Sequence, residues 1–357
     1  MQQAKQDYNN PLPIKQFTHH RPSFSRRVFD NIINYDKEKS RVKLYPLKHR
    51  SNIKTIKENL FTSSREVYGA IDCYQIGREI GRGAYAVVKE CTRKQGPITY
   101  ALKIYNKDKL VLPQRKRNVN REIQILKKLD HPNVVHLYET ICTPSNLYLV
   151  LEHIKGGSLY SYIRANENKR LSEVEAKRIF IQIAGTLRYC HHMGVVHRDL
   201  KLENILLDDN KDVKLIDFGF SIIVDKSDKL SLFCGTPSYM APELISRKGY
   251  YGFPIDIWSL GIILHAMLTG KFPFKGDNEK ELSKAMFKDL YNPPSDVSLN
   301  AQRLLRRLLS IDPTQRPTCD EIMKDPFVCS NKEEFKHINR SLSIAGRTYN
   351  PSPSKIY

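Results

Sequence analysis

Two short runs near the middle of the chain contain the residue types with the clearest chemistry. The first is His197-Arg198-Asp199-Leu200-Lys201-Leu202-Glu203-Asn204, and the second is Asp217-Phe218-Gly219. Two aspartates and an asparagine offer hard oxygen ligands of the kind that Mg²⁺ takes together with substrate phosphates. Phosphoryl transfer needs such metal-neutralised phosphates and an oriented hydroxyl nucleophile. The runs therefore favour phosphoryl-transfer chemistry, with a loop of ordinary turn residues as the alternative.

A glycine-containing turn precedes these runs. Gly81 and Gly83 lie between two stretches of β-forming residues, Tyr74–Ile80 and Val87–Thr92. Glycine lets backbone N–H groups approach phosphate oxygens closely, but a glycine pair between strands is often only a hairpin. A dinucleotide-binding fold would need a helix directly after the glycines. Because β-forming residues follow instead, the pattern argues against that fold.

A lysine and a glutamate come next along the chain. Lys103 alternates with apolar neighbours in the predicted strand Tyr100–Tyr105, and Glu122 lies in the predicted helix Arg115–Leu129. A lysine that points into a cleft can neutralise phosphate, and it then needs a carboxylate to hold it. Exposed glutamates are common on helices, so this pair alone is only suggestive.

The predicted elements divide the chain into two parts. The strands already named and a further strand, Leu147–Glu152, precede a helix-rich part. The helices predicted there are Ser158–Asn166, Ser172–His192, Ile255–Thr269 and Asn300–Ile311. Strands followed by helices indicate an α+β fold, and we expect two lobes with a cleft between them.

The charge of the chain limits the classes of function. Its 357 residues carry a formal net charge of +20, and residues 1–70 hold 14 Lys and Arg against 6 Asp and Glu. Such a charge can attract nucleic acid, anionic lipid or acidic proteins. No groove-reading motif or aromatic RNA-binding pattern accompanies it. We therefore expect no nucleic-acid partner and interpret the charge as a basic solvated surface around a phosphate site.

The cysteines and the apolar stretches indicate where in the cell the protein is located. Seven scattered cysteines without any CxxC pair argue against a disulfide framework or a zinc site, and favour a reducing compartment. The most apolar stretch, Asp256–Gly270, reads as too short and too polar to span a bilayer. We expect a monomeric cytoplasmic protein, with the nucleus as the alternative location, and no membrane insertion.

Further motifs follow the two central runs and complete an ordered set. Ala241-Pro242-Glu243 and Asp256-Ile257-Trp258-Ser259-Leu260-Gly261 come after the glycine turn, Lys103 and the two runs. With this set the chain resembles the eukaryotic protein kinases over about residues 74–328. The resemblance implies a bilobal fold with an ATP cleft between the lobes. The β-rich N-terminal lobe would comprise about residues 74–154, and the larger helical C-terminal lobe about 155–328. A basic, mostly disordered extension, residues 1–73, and a flexible tail, residues 329–357, would flank them.

The resemblance also implies the cofactors, ATP and Mg²⁺, and the residues that bind them. Lys103 would hold the α- and β-phosphates and pair with Glu122, and Asn204 and Asp217 would bind Mg²⁺. The other residues implied at the ATP site are Ile80, Gly81, Gly83, Val88, Ala101, Glu152, Ile154 and Leu206.

Catalytic and structural roles follow from the same resemblance. Asp199 would orient the substrate hydroxyl and accept its proton, and Lys201 would contact the γ-phosphate. Glu243 would form a buried ion pair with Arg316. His197 would belong to the packed core between the lobes, and would act neither as a base nor as a metal ligand.

The resemblance further indicates the class of substrate. Lys201 and Gly235-Thr236-Pro237 are typical of serine/threonine kinases. Glu203 resembles an acidic residue that favours basic side chains N-terminal to the phosphosite, and Phe220 resembles the residue type that prefers serine. We expect protein substrates with basic residues near the acceptor. Gly249-Tyr250-Tyr251-Gly252 is similar to the calcium/calmodulin-dependent group, in its SNF1-like and microtubule-affinity-regulating-like branch.

Three departures from the family pattern concern regulation and nucleotide contacts. Ala86 replaces a third glycine, and Ser158 stands where some relatives carry an acid that touches ribose. Leu232 occupies the usual phosphothreonine position, where Arg198 would ordinarily receive the phosphate. Either packing of Leu232 and its neighbour Phe233 holds this segment, or a neighbouring serine, Ser231 or Ser227, supplies the phosphate, with Ser231 as the candidate regulatory phosphosite. The alternative to an enzyme is a catalytically weak or scaffold-type binding protein with the same fold.

Overall fold

The computed structural model describes most of the chain after residue 70. The described residues are 71–83, 85–225, 227–246, 249–276, 278–288, 291–329, 333, 334, 336 and 338. The expected basic extension lies outside them except for Ile71–Cys73, which forms one 3₁₀ turn. Most of the expected C-terminal tail also lies outside, so both expectations stay predictions.

A five-stranded antiparallel sheet forms the N-terminal lobe. Its strands are β1 (Tyr74–Arg82), β2 (Ala86–Arg93), β3 (Thr99–Asn106), β4 (Leu137–Cys142) and β5 (Asn146–Glu152). Their order across the sheet is β1-β2-β3-β5-β4. The four strands that the sequence predicted are confirmed, and β4 is an addition.

One long helix, α1 (Pro113–Lys128), crosses between β3 and β4. It begins two positions before the predicted start, with Pro113 as its first residue, where the missing N–H of proline costs no helical hydrogen bond. Its buried face is apolar except for Glu122, which is 2% exposed. The helix therefore presents this carboxylate to the interior.

Helices dominate the C-terminal lobe. They are α2 (Leu159–Ala165), α3 (Glu173–His192), α4 (Pro242–Ile245), α5 (Gly252–Thr269), α6 (Glu279–Lys288), α7 (Leu299–Leu308) and α8 (Cys319–Ile322). Ser158, Ser172, Ser298 and Thr318 cap the N-termini of four of them, since each side-chain oxygen accepts a backbone N–H of the first turn.

Short strand pairs complete the C-terminal lobe, and the two central runs lie next to them in the chain. The strands are β6 (Val195–Val196), β7 (Ile205–Leu207), β8 (Val213–Leu215), β9 (Ile222–Ile223), β10 (Lys229–Leu230) and β11 (Tyr250–Tyr251). They pair as β6 with β9, β7 with β8, and β10 with β11. A sheet followed by helices confirms the predicted α+β fold.

The central helix α5 begins three residues before the predicted start, and it is apolar on every side. It is long and apolar enough, by length and composition, to cross a membrane, so the expectation that this stretch is too short and too polar was wrong. Its most apolar 18-residue window is 83% buried inside the protein. A helix that is hydrophobic all round is typical of the core of a large domain.

Two structural predictions in the core are confirmed. Arg316 donates to both carboxylate oxygens of Glu243, at 2.6 and 2.8 Å, and its side chain is fully buried. His197 is fully buried, and its ring centroid lies 5.0 Å from that of Phe218. His197 thus belongs to the packed interior that underlies the two central runs.

Candidate active site

The glycine turn and Lys103 lie in one row across the sheet. Gly81 in β1 is the partner of Val88 in β2, which is the partner of Lys103 in β3. Directly opposite residues share a face of a sheet, so these three positions lie on one face. Gly83 donates its N–H to the carbonyl of Ala86 at 2.8 Å and closes the turn. The strand register therefore places the candidate phosphate-binding residues side by side.

Lys103 lies between two carboxylates. Its Nζ donates to Glu122 Oε1 at 2.7 Å and to Asp217 Oδ1 at 3.0 Å. The predicted Lys103–Glu122 pair is confirmed. Burial alone would lower the pKa of Lys103, but the charges of Asp217 and Glu122 outweigh it and raise that pKa well above its ordinary range. The ammonium group therefore stays charged.

Asp217 is held in place by its neighbours in the chain. It has a φ of 62°, a left-handed conformation that is uncommon for a residue other than glycine. The next residue, Phe218, is fully buried and anchors the turn. A Cβ at Gly219 would lie 3.3 Å from Asp217 Oδ1, so a side chain there would press on the carboxylate. The charge of Lys103 lowers the pKa of Asp217 to about 2, against the opposing effect of burial.

Asp199 forms the centre of a second polar cluster. Its Oδ2 accepts a hydrogen bond from Lys201 Nζ at 2.6 Å, and its Oδ1 accepts one from Thr236 Oγ1 at 2.8 Å. Asn204 Nδ2 donates to the Asp199 carbonyl at 2.9 Å and to Oδ2 at 3.2 Å. These bonds fix the orientation of a carboxylate that is 5% exposed as a residue. The structure thus brings Asp199, Lys201 and Asn204 together, and adds Thr236.

Asp256, in α5, holds the backbone of the loop before Asp199. Its carboxylate accepts the N–H of His197 at 2.8 Å and that of Arg198 at 2.9 Å. His191 Nε2 lies 3.0 Å from the same carboxylate. Arg198 has a φ of 65°, so these bonds support a backbone conformation that costs free energy. The sequence marked Asp256 only as part of a motif and did not reveal this role.

Ala101 and Leu206, two of the residues implied at the ATP site, come from strands of different lobes. Ala101 in β3 is the partner of Leu151 in β5. Leu206 in β7 is bridged to Ser158, the residue that caps α2. Ser158 uses its Oγ as a cap, accepting the N–H of Ser161 at 3.2 Å. A helix-capping role therefore accounts for the serine at this position.

The segment after β5 has a constrained backbone. Glu152 donates its N–H to the carbonyl of His136 at 2.9 Å, so this N–H is already used within the protein. Ile154 is partly buried against the core. A Cβ at Gly156 would lie 2.3 Å from the carbonyl oxygen of Leu207, so only glycine fits this close approach. Ile80 lies between Glu79 and Gly81, where the register of the β1–β2 pairing shifts, and it is 41% exposed.

The donor set of the cleft fits Mg²⁺. Asp217 supplies a carboxylate, and Asn204 uses its Nδ2 toward Asp199, which leaves the amide oxygen as the atom that can ligate a cation. Within the described residues no group of three or more His, Cys, Asp or Glu could hold a metal ion. Mg²⁺ often binds one or two protein oxygens and takes its other ligands from water and substrate phosphates. The two residues fit such a site.

Two arginines, Arg121 and Arg198, lie close to Cys234, three residues after Ser231 in the chain. Arg198 donates its Nε to the carbonyl of Phe220 at 2.6 Å. Burial, followed by the charges of Arg198 and Arg117, lowers the pKa of Arg121 in α1. Arg121 was missed by the sequence analysis, since its proximity to Arg198 arises only in the folded chain. The three guanidinium groups make a positively charged environment.

The expected packing of Leu232 is not observed. Its side chain is 40% exposed, whereas Phe233 packs partly buried against the core. The Tyr250 hydroxyl donates to the Leu232 carbonyl at 2.7 Å. Backbone hydrogen bonding and Phe233, rather than the Leu232 side chain, therefore hold this segment. Ser231 is exposed.

Comparison with known proteins identifies one family model and several relatives. The model described as Protein kinase domain matches residues 74–328. The Probable serine/threonine-protein kinase MARK-A of Dictyostelium discoideum is 41% identical over 266 residues, which are 74% of this chain and 25% of that protein. The CBL-interacting serine/threonine-protein kinase 13 of Arabidopsis thaliana is 38% identical over 271 residues, which are 75% of this chain and 53% of that protein.

A third relative is also named as a serine/threonine kinase. The Serine/threonine protein kinase OSK3 of Oryza sativa subsp. indica is 43% identical over 253 residues, which are 71% of this chain and 49% of that protein. The chain thus spans between a quarter and about half of the length of these relatives. In each case the similarity covers about three quarters of this chain.

Proposed function

The chain belongs to the protein kinase family, as its motifs predicted, and we propose that it transfers the γ-phosphate of ATP to serine and threonine side chains of proteins. The observation that carries this proposal is the pair of polar clusters, one around Lys103 and one around Asp199. A scaffold without activity would be expected to have lost Lys103, Asp199 or Asp217, and all three are present. The three relatives, which are named as serine/threonine kinases, support the same activity and the predicted branch.

The nucleotide would bind along the row of the sheet. Lys103 would contact the α- and β-phosphates while Glu122 and Asp217 hold its ammonium group. Gly81, Gly83 and Val88 would cover the phosphates and sugar. Adenine would lie near Ile80, between Ala101 and Leu206, and against backbone groups of Glu152 and Ile154.

The phosphoryl transfer would take place at Asp199. Its carboxylate would accept a hydrogen bond from the substrate hydroxyl and take the proton as the hydroxyl oxygen bonds to the γ-phosphorus and the bond from that phosphorus to the bridging oxygen of ADP breaks. Thr236 and Lys201 keep that carboxylate oriented, and Lys201 would also contact the γ-phosphate. Mg²⁺ bound by Asn204 and Asp217 would neutralise phosphate charge.

Substrates with basic residues near the acceptor fit the surface of the loop that contains Asp199 and Glu203. Glu203 is exposed, and its Oε2 accepts a hydrogen bond from the Tyr239 hydroxyl at 3.2 Å. An exposed carboxylate held beside the candidate catalytic loop would attract a basic side chain of a peptide. Phe220 supports a preference for serine over threonine only through the family resemblance.

We also propose a monomer in the cytoplasm or nucleus that does not insert into membranes.

A peptide array with radiolabelled ATP and Mg²⁺ tests the proposed function. We expect serine peptides with upstream Arg or Lys to be labelled more strongly than matched peptides in which those residues are Ala or Glu. The same array should contain tyrosine peptides with identical flanks. Labelling confined to tyrosine, or no transfer to any peptide, would overturn the proposal.

Ser231 is proposed as an optional regulatory phosphosite. A phosphate on Ser231 would add about −1.5 to −2 charge to the segment whose Cys234 lies close to Arg121 and Arg198, and arginine pairing can order a segment. Since Tyr250 and Phe233 already hold the segment, we expect partial activity without the phosphate. Fully dephosphorylated enzyme should therefore retain activity equal to that of the Ser231→Ala variant.

The control for this prediction is Ser227→Ala, which changes another exposed serine of the same segment. Phosphorylated wild-type enzyme and phosphorylated Ser227→Ala should both exceed Ser231→Ala in kcat. If dephosphorylation abolishes activity completely, the contacts of the segment do not suffice. If neither dephosphorylation nor Ser231→Ala changes kcat, Ser231 has no regulatory role.

A further inference from the structure

Tyr105 lies on the same strand and the same face as Lys103. Side chains two residues apart on a strand point to the same side of the sheet, and the Lys103 Nζ lies 5.5 Å from the centroid of the Tyr105 ring. Tyr105 is 5% exposed and packs in the main hydrophobic core. It is thus a buried aromatic residue in contact with the proposed phosphate-binding lysine.

The hydroxyl of Tyr105 donates to Glu122 Oε2 at 2.5 Å. Glu122 uses its other oxygen, Oε1, to accept from Lys103. The carboxylate is therefore held at both oxygens, once by the lysine and once by the phenol. A Cβ at Gly219 would lie 3.6 Å from Glu122 Oε2, so the same oxygen also faces the turn that carries Asp217.

The packing of the ring does not require this hydroxyl. A phenylalanine would fill the same apolar space, but it would leave Glu122 Oε2 without this donor. A buried acceptor that loses its partner is costly, and the cost is larger when the acceptor is charged. Burial, followed by the charge of Glu122, raises the pKa of Tyr105 well above its ordinary range. The phenol therefore remains a proton donor at every pH at which a protein is normally assayed.

We propose that Tyr105 is a positioning residue that holds Glu122 in the orientation that pairs with Lys103. The inference rests on the proposed function, because the Lys103–Glu122 pair affects activity only if Lys103 binds a nucleotide. The restraint comes from β3, within the sheet itself. The positioning of Glu122 by Tyr105 does not require a phosphate in the segment around Leu232. Leucine itself cannot be phosphorylated.

The test compares Tyr105→Phe with Tyr74→Phe. Tyr74 is a matched control because it is also buried in the N-terminal lobe and its hydroxyl also donates to a glutamate, Glu139. Both variants lose a hydroxyl-to-carboxylate bond, but only Tyr105 touches the cleft. We expect Tyr105→Phe to lower kcat/KM for ATP about tenfold, as the loss of one such bond to a charged group predicts. Tyr74→Phe should leave kcat/KM unchanged.

A measurement that needs no phosphoryl transfer separates this inference from the proposed function. The dissociation constant of Mg·ADP, measured by calorimetry well below both melting temperatures, should rise several-fold in Tyr105→Phe and stay constant in Tyr74→Phe. In a Glu122→Ala background, Tyr105→Phe should have no further effect on this constant, since its effect acts through Glu122.

Two results would overturn the positioning role. One is a Tyr105→Phe variant that matches Tyr74→Phe in both kcat/KM and Mg·ADP affinity. The other is a Tyr105→Phe effect of undiminished size in the Glu122→Ala background, which would show that the hydroxyl acts elsewhere. A wild-type chain that binds Mg·ADP but transfers no phosphate would refute the proposed function, and the Mg·ADP comparison would still decide the role of Tyr105.

Discussion

Replacing Asp217 with asparagine is expected to lower kcat for peptide phosphorylation by about 10³-fold, the scale found when one preorganised electrostatic contact is removed from an active site. The carboxylate of Asp217 accepts a hydrogen bond from Lys103, and its pKa of about 2 keeps it ionised at any assay pH. Asparagine has nearly the same shape but no charge. It would be a poorer ligand for Mg²⁺ and would leave Lys103 with Glu122 as its remaining carboxylate in this cluster.

The matched control for this substitution is Asp296→Asn. Asp296 is also in an ion pair, with Arg170 at 2.5 Å, but both side chains are about half exposed and lie away from the cleft. Exposed pairs contribute little to stability, so this variant should behave as the wild type. Steady-state kinetics with varied Mg·ATP and a thermal melt of each variant make the comparison. Near-wild-type turnover of a folded Asp217→Asn protein would show that the charge at this position has no part in transfer.

The polar residues of the site were largely predictable because they occur in continuous runs. Asp199, Lys201 and Asn204 come from one run, and the structure brings them within hydrogen-bond distance of each other. The pairing of Lys103 with Glu122 was predictable because a buried lysine needs a carboxylate, and Glu122 was a candidate on the next helix. The need to pair charges and hydrogen-bonding groups therefore limits which residue types can lie side by side in such a site.

Helix starts were less predictable than helix interiors. The starts predicted for α1 and α5 came two and three residues too late. In the structure Pro113 is the first residue of α1, and Pro254 lies in the first turn of α5. The first-turn N–H groups of a helix have no intrahelical acceptor, so proline is tolerated there. Strand β4 was missed as well.

The contacts that depend on tertiary structure could not be read from the sequence. Asp256 accepts hydrogen bonds from His197 and Arg198, which lie far from it in the chain. Tyr105 looks like any strand-forming aromatic residue until α1 brings Glu122 to its hydroxyl. The exposure of Leu232 is a third example, since an apolar residue in a loop predicts packing that the fold does not provide.

Asp199→Asn is the second substitution with a very large expected effect, and it separates proton transfer from nucleotide binding. Asparagine can accept a hydrogen bond at one oxygen, but it cannot take the proton of the substrate hydroxyl. Its amide group would also place a donor against Lys201 or Thr236, both of which donate to Asp199 in the structure. Loss of a positioned general base costs about 10²- to 10⁴-fold in rate.

The kinetic pattern distinguishes this variant from Asp217→Asn. Among the described residues Asp199 makes no hydrogen bond with Lys103, Glu122 or Asp217, and its backbone carbonyl would still accept from Asn204 Nδ2 in the variant. Asp199→Asn should therefore reduce kcat while the dissociation constant of Mg·ADP stays close to that of the wild type. Asp217→Asn should change both quantities, because Asp217 contacts Lys103 directly. Thr236→Val, which removes one donor to Asp199 and keeps its charge, should fall between wild type and Asp199→Asn in kcat. A weakened Mg·ADP affinity in Asp199→Asn, or a kcat unaffected by it, would contradict the assignment of the two aspartates to separate tasks.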